Sequence, residues 1–151
     1  RTSRETRCPE VYTGAQKQGL DHEKGGGAAV VRNLQNFMAS DSNWRMVALD
    51  RGYTTVALAV QLLAMHFYMV GTVKTNVSGY CRAVIDKRKN RTASLNRDRG
   101  KWKCYHSTVF PGMAAACWID RRPVHLLSTG ASTRPSKVLR HDKGDRTEVS
   151  I

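Results

Sequence analysis

The chain has 151 residues, enough for one hydrophobic core and short for two. Hydrophobic residues make up 40% of it, so a folded interior is within reach, and its formal net charge is +13. A chain this basic repels itself without a polyanionic partner, which puts nucleic acid first and an anionic membrane second; the basic residues do not form one face of an amphipathic helix, which sets the membrane aside.

The N-terminal residue is Arg1, and no charged start followed by an apolar run marks a signal peptide. The chain is expected to be a piece of a longer protein. The longest apolar stretch, 56–70, is broken by Gln61 and His66 and is too short to span a bilayer. Cys8, Cys81, Cys104 and Cys117 form no C-x-x-C pair. Free thiols in a reducing compartment are therefore expected, and the sequons at Asn76 and Asn90 carry no weight there.

In chain order, EVYTG at 10–14 reads as a strand end, and 15–27 as a polar, glycine-rich loop. Val30, Val31, Leu34, Phe37 and Met38 recur at helical spacing, predicting a helix from Ala28 that stops at the SDSN turn. The run RMVALD at 45–50 is apolar and ends on a carboxylate, the pattern of a buried parallel strand. Thr54 or Thr55 can cap a helix over 54–65. Its predicted inner face is Val56, Ala59, Val60, Leu63 and Ala64, with His66 near its end, where the dipole favours a cation. A second strand follows over 67–73. Strand, helix, strand in this order predicts a parallel crossover unit, with Asp50 at the carboxyl end of the sheet, where functional groups gather.

Residues 87–103 carry eight Lys and Arg against one Asp: Lys87, Arg88, Lys89, Arg91, Arg97, Arg99, Lys101 and Lys103. Trp102 stands among them. The spacing allows a phosphate-contacting segment, with Trp102 stacking on an unpaired base, or a solvated loop with Trp102 tucked inward. Strands over 113–119 and 123–128 with Asp120-Arg121-Arg122 between them predict a hairpin, with Trp118 expected in the core. The polar stretch 131–151 reads as a tail or linker.

Four of these segments resemble one family. EVYTG at 10–14, DRGYTT at 50–55, GTVKTN at 71–76 and WIDRRPVHLLST at 118–129 are similar, in order and spacing, to motifs of the piggyBac-type transposases. The resemblance covers about residues 10–130. It implies a fragment of an α/β, ribonuclease H-like mixed sheet with flanking helices, followed by a basic insertion and a β-hairpin. The implied division is 1–80 for the partial catalytic core, 81–130 for the basic and β-rich insertion, and 131–151 for the tail.

The resemblance also implies a chemistry: metal-dependent DNA cleavage and strand transfer by three aspartates holding Mg2+ ions. Asp50 matches the second of them, as catalytic residue and metal ligand. The first would precede EVYTG, where Glu5 is the one carboxylate in 1–8. The third belongs to a segment past Ile151, and neither Asp142 nor Asp145 stands in that context. One carboxylate does not hold two magnesium ions, so the chain alone is expected to be inactive. By spacing alone, Asp50 reads equally well as a helix-terminal carboxylate. Position 52 is Gly where the family has an aromatic; were that ring buried, its loss would leave a void costing roughly 3–5 kcal/mol. Arg51 and Lys74 flank the site and suit either phosphate contact or a solvated surface. Implied partners are transposon-end and target DNA and a second copy in the full-length protein, in the nucleus and away from membranes. The alternative is a decayed or co-opted nucleic-acid-binding protein without catalysis.

Overall fold

The computed structural model describes residues 25–38, 43–88, 97–132, 134, 137–142 and 145–150, without the side chains of 37–38 and 137–150. The strand end expected at 10–14 lies outside them.

The crossover unit forms as its sequence predicts. Strand β1 (Arg45–Leu49) lies parallel to β2 (Phe67–Thr72), with Leu49 opposite Gly71, and helix α2 (Val56–Ala64) joins them. Thr55 is the N-cap of α2: its backbone is extended and its hydroxyl accepts the Leu58 N–H at 3.1 Å. Met65 caps the other end, and His66 takes the left-handed conformation, φ 63°, that turns the chain into β2.

The inner face of α2 differs from expectation. Leu58, Ala59 and Leu62 are buried, whereas Leu63 is half-buried and Ala64 exposed. The segment VALAVQLLA has one polar residue, Gln61, so its sequence scarcely phases the helix. Packing decides the rotation: Leu58 and Leu62 meet Phe67, Met69 and Leu127 of the sheet. Helix α1 (Gly26–Met38) adds Val31 to the same cluster, with Val30 and Leu34 against it.

The sheet continues past the unit. The hairpin of β4 (Met113–Ile119) and β5 (Pro123–Thr129) adds antiparallel to β2, with Thr72 opposite Leu126. Strand β3 (Trp102–His106) adds antiparallel to β4. The five-stranded order is β1-β2-β5-β4-β3, so strands from 1–80 and 81–130 share one mixed sheet. Strand β3 begins at the last two residues of the segment 87–103, read as basic stretch or loop, and runs past it.

Helices α1 and α2 pack on one face of this sheet. There Met113, Ala115, Cys117 and Ile119 alternate inward and are covered by Val73, Tyr80 and Val84 of the connection after β2. The Tyr80 hydroxyl reaches the carbonyls of Ala116 and Leu126, each at 3.1 Å, and straps that connection across the hairpin.

The opposite face carries no helix among the described residues. Register places Met46, Tyr68, Leu126, Ala116, Trp118 and Trp102 there, and no Asp, Glu, Lys or Arg. Trp118, expected in the core, is 43% exposed. The alternation that turns Cys117 and Ile119 inward turns Trp118 outward onto this open face.

The stretch 131–151, read as a tail or linker, holds a two-stranded antiparallel sheet of β6 (Lys137–Asp142) and β7 (Asp145–Ser150). Only Lys143 and Gly144 separate its strands, the connection length of a tight hairpin, and Val138 faces Val149 across it. No helix among the described residues is long and apolar enough to cross a membrane.

Candidate nucleic-acid interface

Asp50 follows the last residue of β1. Its carbonyl accepts three hydrogen bonds, from the Tyr53 N–H at 3.0 Å, the Thr54 N–H at 3.1 Å and the Thr54 hydroxyl at 3.0 Å. Thr54 is buried, so the turn is pinned from beneath while Asp50 itself is exposed. Its Oδ1 accepts the Arg51 N–H at 2.6 Å. Two glycines allow this fit. A Cβ at Gly71 would meet the Thr54 hydroxyl and, at 2.7 Å, the Leu49 carbonyl; one at Gly26 would meet the Tyr53 ring at 2.7 Å. Gly52 faces open space, with nothing within 4 Å of an added Cβ, so no aromatic-sized void lies beneath the turn.

Among the described residues, no three His, Cys, Asp or Glu side chains gather as a metal site. The donors present fit one oxygen ligand of a magnesium ion and no more. Burial pushes the Cys104 and Cys117 thiols up, which keeps them protonated.

Register brings the cations to the Asp50 end. Because β5 runs antiparallel to β2, its first residue Pro123 lies beyond the level of Thr72, and the turn before it carries Arg121 and Arg122. Trp118 pairs with Trp102, which brings Arg97, Arg99 and Lys101 to the same end. Arg51 and Lys74 follow the carboxyl ends of β1 and β2. All seven of these side chains are exposed, and Arg51, Lys74, Arg97, Arg121 and Arg122 lie outside the ion pairs described next. The sequence singled out Arg51, Lys74 and Arg97 but missed Arg121 and Arg122. Their signal was the hairpin turn itself, whose position becomes informative only once β5 is paired with β2.

The basic segment is partly neutralised. Arg88 forks onto Asp86 at 2.7 Å and reaches Asp98 at 2.6 Å; Lys101 holds Asp98 at 2.8 Å; Arg99 holds Asp120 at 3.0 Å. Hydrogen bonds from Lys101 and Arg88 bring the Asp98 carboxyl down to about 2, and Arg88 lowers that of Asp86 against the opposing effect of burial. Arg88, Arg99 and Lys101 thus brace the segment against its own acids. Lys89 and Arg91 lie outside the described residues. Lys87 is exposed, and the Lys103 ammonium donates to the Ala83 carbonyl at 3.1 Å. Trp102, 49% exposed, stands on the open face beside Trp118, so both indoles present accessible rings.

His125 ties this network to the residue after β2, its carbonyl accepting the Val73 N–H at 2.9 Å. Its Nε2 accepts the Asp86 N–H at 3.0 Å, which fixes the neutral ring with its proton on Nδ1. Burial lowers its basicity; Asp86 opposes that, while Arg51 and Lys103 reinforce it, and the Tyr80 ring meets it edge-on at 6.3 Å. The folded state therefore binds this proton less tightly than the unfolded chain. Stability tied to neutral His125 is full above about pH 6.5 and is lost as pH falls through the depressed folded value. The urea midpoint should accordingly drop between about pH 7.5 and 5.5. His125→Gln, which keeps an acceptor and does not titrate, should flatten that drop; an equal drop in the variant would exclude His125 as its source.

Comparison with known proteins fits the fold. A chain in the cryo-EM structure of piggyBac transposase synaptic complex with hairpin DNA superposes with a TM-score of 0.56 at 19% identity. The match covers 85% of the present chain and 24% of the other, so this chain spans about a quarter of that transposase. A comparison with curated proteins finds no match. The family model described as Transposase IS4 matches residues 8–149, nearly the whole length, and the chain belongs to that family of IS4/piggyBac-type transposases.

Proposed function

We propose that the chain is the part of a DNA transposase core that supplies one metal-binding carboxylate, Asp50, and a basic face for DNA. The observation that carries this reading is the exposed Asp50 on a pinned turn at the carboxyl end of β1, at the same end as Arg51, Lys74, Arg121 and Arg122. Magnesium, bound when the family's other carboxylates are present, would supply activation of the attacking oxygen and charge neutralisation at the leaving one. The work of this segment is to hold one oxygen ligand still and to attract phosphate. Trp102 and Trp118 offer stacking faces to unpaired bases. Transposon ends and target DNA are the proposed substrates, with a homodimer and a nuclear site of action for the full-length protein.

The 151-residue chain should bind duplex DNA and leave supercoiled plasmid intact in Mg2+ or Mn2+. Metal-dependent cutting that disappears in Asp50→Ala would refute the incompleteness of its ligand set.

The second reading, nucleic-acid binding without catalysis, is favoured by the fact that, among the described residues, Asp50 belongs to no group of three metal-ligating side chains. Sequencing the transcript on both sides separates the two: aspartate-bearing motifs in frame support the transposase, and stop codons support the binding protein.

A further inference from the structure

Beyond the Asp50 turn, the connection after β2 folds into a cleft of about 830 Å³ between residues 75–80 and 82–87. Its lining residues include Thr75, Asn76 and Ser78, which carry hydrogen-bond donors, and the cations Arg82, Lys87 and Lys103. Among the described residues, none of these three cations enters an ion pair. The acid in the lining, Asp86, is bound by the Arg88 guanidinium at 2.7–3.1 Å, so its charge is already matched. Lys103 uses one N–H on the Ala83 carbonyl and has two more to give.

The walls are preformed. Val77 N–H bonds to the Lys74 carbonyl and Tyr80 N–H to that of Val77, each at 3.2 Å, while Gly79 takes φ 79° against Val56 at the start of α2. The Tyr80 strap anchors one wall to the hairpin. A concave, polar site with three unpaired cations and a neutralised acid repels metal ions and offers N–H and O–H donors to a compact oxyanion.

We propose that this cleft seats a phosphate group, and, resting on the DNA reading above, that the group is a backbone phosphate of DNA running from the Asp50 turn. Position supports the source. The connection leaves the carboxyl end of β2, level with Asp50, and begins with the exposed Lys74.

The test is an amide-shift titration of the isotope-labelled 151-residue chain with inorganic phosphate and, separately, with a short DNA duplex. Arg82→Gln/Lys87→Gln is the variant; both side chains are exposed, and a thermal melt checks that the fold is kept. Shifts over 75–87 with both probes, lost in the double variant, are expected. The same variant should flatten the log–log salt slope of duplex binding by about 1.8, that is about 0.9 per cation removed. Arg134→Gln, which removes a charge after β5 at the far end of the sheet, should leave the cleft shifts unchanged. Shifts with inorganic phosphate alone would keep the phosphate site and reject DNA as its source. Duplex binding with shifts elsewhere and none in the cleft would overturn the cleft and leave the DNA reading standing. Silence from both probes would overturn the cleft outright.

Discussion

Raising salt from about 50 to about 200 mM should weaken duplex binding by this chain roughly a thousandfold, the consequence of releasing counterions from about six phosphates. Arg51, Lys74, Arg121 and Arg122, exposed and outside the ion pairs of the basic segment, are placed to account for about four of them, and Arg82 and Lys87 of the cleft for the rest. Alanine at the first four should flatten the slope by about 0.9 each. Arg88→Ala should behave differently. It strips Asp86 and Asp98 of their guanidinium, so the melting temperature should fall while the salt slope holds. Fluorescence anisotropy across a salt series reads both outcomes. A steep slope that survives the quadruple variant would place the DNA elsewhere on the molecule.

Gly71→Val should lower the unfolding free energy by about 3 kcal/mol, a large part of the stability of a small domain. The cause is space. An added Cβ already meets the Thr54 hydroxyl, the Leu49 carbonyl at 2.7 Å and the Leu49 side chain at 3.2 Å, and the two valine methyls have less room still. Thr54 is one of the residues that pin Asp50, so the variant should also shift the amide resonances of Tyr53 and Thr54. A urea midpoint equal to the wild type would show that β1 and β2 part at no cost.

What could be read in advance follows from where each signal resides. The β1–α2–β2 unit was legible because an apolar run ending on Asp50 and a threonine cap are local features. The hairpin was legible for the same reason, with Asp120-Arg121-Arg122 punctuating two β-rich runs. The rotation of α2 was not, since VALAVQLLA is apolar nearly all round and only Met69 and Leu127 decide which side faces in. Trp118 misled because alternation assigns residues to two faces without saying which one is covered. Strand β3 hid beneath its lysines: Trp102, Cys104 and His106 alternate with Lys103 and Tyr105 as in a charged edge strand. The Arg88–Asp98 pair spans ten positions, and nothing local announces it.

The open sheet face has a practical consequence for handling the protein. Copies of a +13 chain keep apart in dilute buffer by mutual repulsion. Concentrated salt, the usual means of stripping nucleic acid from a basic protein, shrinks the range of that repulsion from about 10 Å at 0.1 M to about 3 Å at 1 M. The face bearing Met46, Trp102 and Trp118 has no charge of its own to replace it. Purification at high salt would therefore free the protein of DNA and, in the same step, bring its greasy sides together, so clouding should increase with salt where most basic proteins clear.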